Sequence, residues 1–170
     1  MNLCDAMADM RRETACFTGH RDIPALLADE IAQRTRQAVV NLIEKGYKYF
    51  GAGGARGFDA LAAETVLSLR EIYPHIHLIL VLPFRDQYRH EKGWSQEEIK
   101  QYHRLQEGAT KVRILAEEYS SGVYYRRNKH LVNWSSACIA FMERPNTGTS
   151  YTVNYARSKG LQIINTALER

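Results

Sequence analysis

Short, nearly continuous apolar runs alternate along this chain with longer segments whose apolar residues return every three or four positions. The runs ACFTG (15–19), YKYFGAG (47–53), IHLILVLPF (76–84), KVRIL (111–115), ACIAFME (137–143) and LQIIN (161–165) are short and bounded by turn residues, so they predict buried strands. Between them, ALLADEIAQRTRQAVVNLIEKG carries Leu27, Ile31, Val39, Leu42 and Ile43 on one helical stripe, which Gly46 ends. FDALAAETVLSLREIY reads as a helix with Leu61, Thr65, Leu69 and Ile72 on related faces and Pro74 beyond its end. SQEEIKQYHRLQEGA is a further helix, with Ser95 and Glu98 in capping-box spacing. VYYRRNKHLVNWS and TSYTVNYARSKG complete the helical set, and the polar stretch Arg85 to Gly93 predicts a loop. Residues 1–13 are polar and irregular and are expected to form a flexible arm, leaving 14–170 as a single domain.

Apolar strands alternating with helices imply an α/β, three-layer fold with a mostly parallel sheet covered on both faces. In such sheets, ligands sit beyond the carboxyl ends of the strands, near the point where strand order reverses. Unusual residues should therefore follow strands rather than precede them, and here they do. Thr18, Gly19, His20 and Arg21 follow the first strand, and a glycine loop containing Arg56 follows the second. Pro83, Phe84, Arg85 and Gln87 follow the third, and Arg144 with Asn146, Thr147, Gly148 and Thr149 follow the fifth. The opposite strand ends carry plain turn chemistry.

The loop FGAGGARGFDALAAE concentrates Gly51, Gly53, Gly54 and Gly57 ahead of a helix. A strand–glycine–helix unit aims backbone N–H groups and a positive helix end at one spot, an arrangement suited to phosphate. It is neither GxGxxG, since Arg56 stands where glycine is needed, nor a Walker A motif, which requires Gly-Lys-Ser/Thr. A tight connection with close backbone packing is the competing explanation. Asp59 suits either a helix-dipole role or hydrogen bonds from a ribose, and Glu64 is a weaker acidic candidate. Arg85 and Arg126 join Arg21 and Arg56 as candidate phosphate contacts, because guanidinium binds phosphate bidentately. Asn128 is a candidate for a base or ribose edge, and Gly148-Thr149 for a second phosphate cradle; Tyr88, Trp94 or Tyr102 is placed to stack on a base.

A formal charge of +4 over 170 residues favours an anionic partner without indicating nucleic acid. Three widely spaced cysteines without CxxC spacing point away from a zinc site or disulfide framework and toward a reducing, cytoplasmic setting. No metal-binding signature stands out, and no apolar run approaches the ~18 residues needed to span a bilayer.

Taken together, TGHR, GGARGFDALAAE, LPF…Q…W, YYRRN and GTSYTVNYA resemble the YpsA-type proteins of the SLOG superfamily, over roughly Thr14 to Thr166. That superfamily also holds the lonely-guy phosphoribohydrolases and the DNA-processing protein DprA. The resemblance implies a Rossmann-like sheet and a pocket for nucleotides or nucleotide-derived ligands. Lonely-guy enzymes carry a catalytic glutamate in GGxGTxxE; here Thr152 stands in its place, and Thr147 and Asn133 also depart from the usual YpsA-like pattern. The leading expectation is a sensor, carrier or sequestering protein for a nucleotide or NAD-derived (ADP-ribose-like) molecule, needing no cofactor. Its phosphates would lie against Gly53–Gly57 and Gly148-Thr149. An N-glycosidase or phosphoribohydrolase, with Asp59 or Glu64 as the acid, is the alternative, and DprA-like single-stranded DNA binding the second. Homo-oligomerisation is left open.

Overall fold

A computed structural model of the protein describes residues 2–169. Six strands form one all-parallel sheet: β1 (Thr14–Gly19), β2 (Tyr49–Ala52), β3 (His77–Leu82), β4 (Lys111–Ile114), β5 (Ala137–Phe141) and β6 (Gln162–Asn165). The spatial order is β4-β3-β2-β1-β5-β6. The chain builds outward from β1 to β4, then returns across the sheet to lay β5 on the other side of β1, so strand order reverses between β1 and β5. Their pairing runs Cys16↔Cys138, Phe17↔Ile139, Thr18↔Ala140 and Gly19↔Phe141, which brings both carboxyl ends level.

Among the described residues the α-helices are α1 (Leu3–Arg12), α2 (Ala28–Glu44), α3 (Phe58–Leu69), α4 (Gln96–Gly108), α5 (Val123–Asn133) and α6 (Gly148–Ser158), of which α2 to α6 cover the sheet. One face carries the larger core, in which Phe17, Phe50, Phe58 and Phe141 meet the apolar faces of α2 and α3. On the other face Cys16, Cys138 and Val81 pack against Leu131, Val132 and Ala156 of α5 and α6. Successive residues of β1, Cys16 and Phe17, thus feed opposite cores, the two-fold side-chain period of a strand buried on both sides.

The stripe expected on α2 is buried at Ile31, Val39, Leu42 and Ile43, and Gly46 ends the helix with φ of 97°. The Ser95–Glu98 capping box forms with both of its hydrogen bonds. Two expectations differ from the structure. Leu3–Arg12 is helical: Asn2 caps it through the Asp5 N–H, and Arg11 Nε donates to the Ser135 carbonyl. Helix α3 buries Ala62, Val66 and Leu69 and stops there, so Ile72 lies outside it, exposed, where the chain turns toward Pro74.

Candidate functional site

The reversal of strand order opens a solvent-accessible cleft above the carboxyl ends of β1 and β5. Four chain segments wall it. From the end of β1 come Thr18, Gly19, His20, Arg21 and Asp22; from the β2–α3 connection Ala55 and Asp59; from α5 Tyr124, Tyr125, Arg127 and Asn128; and from the β5–α6 connection Arg144, Thr147, Gly148 and Thr149.

The glycine loop serves mainly close packing, the competing explanation in the sequence. Gly57 has φ of 78°, and a Cβ there would run into the Arg21 backbone carbonyl. A Cβ on Gly53 would come within 2.7 Å of Arg127 Nη1. The loop's anion-binding capacity is used internally, since Asp59 Oδ2 accepts the Ala55 N–H at 3.3 Å. Burial pushes the Asp59 carboxyl up from its usual range, opposed by the Arg127 guanidinium and by the Ala55 and Gly53 amides.

Arg127 is the buried cation of the site. It donates through Nη1 to the Gly53 carbonyl and through Nε to Asn128 Oδ1 at 2.7 Å. Arg126, the sequence candidate, instead faces outward and donates to Ser120 Oγ. The signal for Arg127 was present in the sequence: Val123, Arg127 and Leu131 recur every four residues and all three are buried. A neighbour one position away on a helix is rotated by about 100°.

Arg21 enters the cleft already held by a carboxylate that sequence reading placed in an anonymous loop. Glu91 Oε2 lies 3.0 Å from Arg21 Nη1 and accepts the Trp94 indole N–H at 2.9 Å. Its Oε1 accepts from Arg21 Nη2 at 3.3 Å and from the Tyr124 hydroxyl at 2.8 Å. Burial, followed by the Glu91 hydrogen bond and charge, pushes the Tyr124 phenol upward, so Tyr124 stays protonated and donates. The Arg21 and Arg127 guanidinium carbons lie 5.5 and 5.8 Å from the centre of the Tyr124 ring.

His20 is a structural acceptor. Burial and then the Arg144 charge lower its pKa, and its Nε2 accepts the Glu143 N–H at 2.9 Å and the Arg144 N–H at 3.4 Å. A neutral ring with Nε2 accepting keeps its proton on Nδ1 and ties the β5–α6 connection to β1. That connection ends in a capping box the sequence reading missed: Ser150 N–H donates to Thr147 Oγ1, and Thr147 N–H to Ser150 Oγ. The box occupies two of the amides a helix start leaves unpaired within the helix and leaves those of Gly148 and Thr149 at the cleft wall.

The remaining candidates lie elsewhere. Arg56 pairs with Asp22 at 3.4 Å and Glu98 at 3.9 Å, outside the cleft lining. Gly54 borders a smaller void beneath the loop, with Trp94 and Tyr102. Pro83 and Phe84 are buried, the Phe84 ring edge-on to His90, Tyr119 and Tyr124. Arg85 forms a two-pronged pair with Glu117 at a separate open hollow that Phe84 also lines. Glu64 faces α4, accepting from Gln101 and Arg104, and contributes nothing to the cleft lining. Thr152 donates its hydroxyl to the Gly148 carbonyl and supplies no acid. Among the described residues, no group of three or more His, Cys, Asp or Glu could hold a metal ion, and no helix is long and apolar enough to cross a membrane.

The YpsA family model, described as the YspA SLOG family, matches residues 26–165. The chain belongs to this family. It is 30% identical over 135 residues to a UPF0398 protein of Halalkalibacterium halodurans, covering 78% of this chain and 70% of that protein. It is also 30% identical over 132 residues to the uncharacterised SPbeta prophage-derived protein YoqJ of Bacillus subtilis, covering 70% of this chain and 75% of YoqJ. Among solved structures, the single-stranded-DNA-binding DNA processing protein A of Helicobacter pylori is similar with a TM-score of 0.63 at 16% identity. That match covers 97% of this chain and 68% of the other and speaks to the shared fold.

Proposed function

We propose that this YpsA-family protein binds a nucleotide or an NAD-derived, ADP-ribose-like molecule in the cleft between the ends of β1 and β5, acting as a sensor, carrier or sequestering protein. The supporting observation is the convergence of donors on one hollow. Arg21, Arg127 and Arg144 line it with Asp22 and Asp59, and burial disfavours the charged form of Asp59. Gly148, Thr149 and Asn128 line the same hollow. This is chemistry for a phosphorylated sugar, because phosphate oxygens accept from guanidinium and from helix-terminal amides together. The phosphates belong at Gly148-Thr149 rather than at the glycine loop, where Asp59 already takes up an amide.

Thermal denaturation with AMP, ADP-ribose, NAD and their guanine counterparts tests the reading. A ligand at 100 times its Kd stabilises by about 2.7 kcal/mol. At least one member is expected to raise Tm, and Arg21→Met to abolish the rise; a flat response to the whole panel refutes the proposal.

A second reading rests on Asp59, a buried carboxyl in the cleft with an upward-shifted pKa, the environment given to general acids. In this reading the protein cleaves an N-glycosidic bond of the bound ligand. Release of free base from AMP or NAD, abolished in Asp59→Asn, supports it; a protein that binds these ligands and leaves them intact excludes it.

A further inference from the structure

Two neighbouring tyrosines, one lining the cleft and one packed against it, have no role in the reading above. Tyr125 of α5 lines the cleft, and its ring meets that of Tyr151 of α6 edge-on, with centroids 4.9 Å apart and planes at 72°. Both remain widely exposed, Tyr125 at 49% and Tyr151 at 44%. Their backbones are fixed: Tyr151 lies in the first turn of α6, its N–H donating to the carbonyl of the cap residue Thr147, and Tyr125 lies in the first turn of α5. Tyr151 and Tyr125 each sit three positions from Gly148 and Asn128 on their helices, a backbone rise of about 5 Å. A base linked through ribose to a phosphate at Gly148-Thr149 reaches about this far.

We propose that Tyr125 and Tyr151 together seat the base of the bound nucleotide by stacking, and that the site accepts adenine and guanine alike. This rests on the nucleotide reading above and adds the ligand class to it. Asn128 is the side chain beside Tyr125 best suited to reading a base edge, but its Oδ1 is committed to Arg127 Nε. An arginine Nε–H can only donate, so the oxygen assignment is fixed, with Oδ1 held toward Arg127. That bond takes one of the two acceptor positions of Oδ1 and holds the amide against Arg127, so Asn128 is not free to swing its amide onto a base edge. Tyrosine faces stack on any base.

Calorimetric titration of AMP, GMP and ribose 5-phosphate into wild type, Tyr125→Ala/Tyr151→Ala and Tyr125→Phe/Tyr151→Phe is the test. Wild type should bind AMP and GMP within about threefold of each other and ribose 5-phosphate about tenfold more weakly. The double alanine variant should bind AMP only as well as ribose 5-phosphate, with ribose 5-phosphate affinity unchanged; the double phenylalanine variant should match wild type. Unchanged AMP affinity in the alanine variant overturns the proposal, as does a phenylalanine variant as weak as the alanine one. A shift from dimer to monomer in light scattering with AMP affinity retained overturns it too, by showing that the rings cover a second copy of the chain. Wild type that binds none of the three compounds removes the nucleotide reading itself, a distinct result.

Discussion

Replacing Glu91 should damage the protein more than its loop position implies. Its side chain is 7% exposed, pairs with Arg21 Nη1 at 3.0 Å, and accepts three hydrogen bonds, one each from Arg21 Nη2, the Trp94 indole and the Tyr124 hydroxyl. The Arg21 side chain is 40% exposed, so the ion pair is screened and worth about 1 kcal/mol. The Trp94 and Tyr124 bonds end on a charged, buried acceptor, a class worth about 1.5–3 kcal/mol each. Water entering the vacated space would replace part of this, so Glu91→Ala should cost about 3–5 kcal/mol. At 2–4 °C per kcal/mol for a chain of this size, Tm falls by about 10 °C. Glu91→Gln keeps one accepting oxygen but turns an NH₂ toward the donors, and should lose about half as much. Urea unfolding followed by tryptophan fluorescence measures both, since Trp94 donates to the group being altered. Tyr124→Phe removes one of the same bonds, so in the double variant with Glu91→Ala the two costs should overlap by about 1–2 kcal/mol. A Glu91→Ala cost below about 1 kcal/mol, or strict additivity with Tyr124→Phe, would refute Glu91 as the anchor of the Arg21 wall.

Gly57→Ala should destabilise by more than about 2 kcal/mol in chemical denaturation, because the residue combines φ of 78° with no room beside the Arg21 carbonyl. Thr147→Ala removes one arm of the α6 capping box and should cost about 1 kcal/mol by the same assay, with Thr147→Ser close to neutral. His20 has a folded-state pKa below its unfolded value, so between the two the unfolded chain binds the extra proton. Stability from this residue is therefore complete above about pH 6.5 and declines as pH falls below it, at no more than about 1.4 kcal/mol per pH unit. Melting curves of His20→Gln from pH 7.5 to 5 should show a flatter decline than wild type, and parallel curves would contradict the neutral assignment.

The order of elements was legible in the chain because strand and helix signals are short-range. Continuous apolar runs, period-3.6 stripes, the Ser95–Glu98 box and the stop at Gly46 each depend on residues within a few positions. Of the residues that the strand-end rule gathered, Thr18, Gly19, His20, Arg21, Arg144, Thr147, Gly148 and Thr149 line a single cleft, while Arg56, Pro83, Phe84 and Arg85 do not. Short-range signals failed where a distant partner decides. Leu3, Ala6, Met7 and Met10 do recur at helical spacing, but the short stripe is buried against nothing, and the polar segment around it reads as an irregular arm.

The arginines show this most clearly. All of Arg21, Arg56, Arg85 and Arg126 follow strands or open a helix, and sequence position treats them alike. Which of them reaches the cleft depends on carboxylates contributed by remote segments: Glu98 and Asp22 hold Arg56, Glu117 holds Arg85, and Glu91 fixes Arg21 within the cleft. The glycine loop follows the same division. Its composition required a tight turn, but only the packed structure showed that a side chain of its own helix, Asp59, accepts one of the amides an anion would have used. Local sequence set the backbone path, because backbone preference is a property of neighbouring residues. Charge pairing crosses the sheet and the loops, so the character of the site was decided when the chain closed on itself.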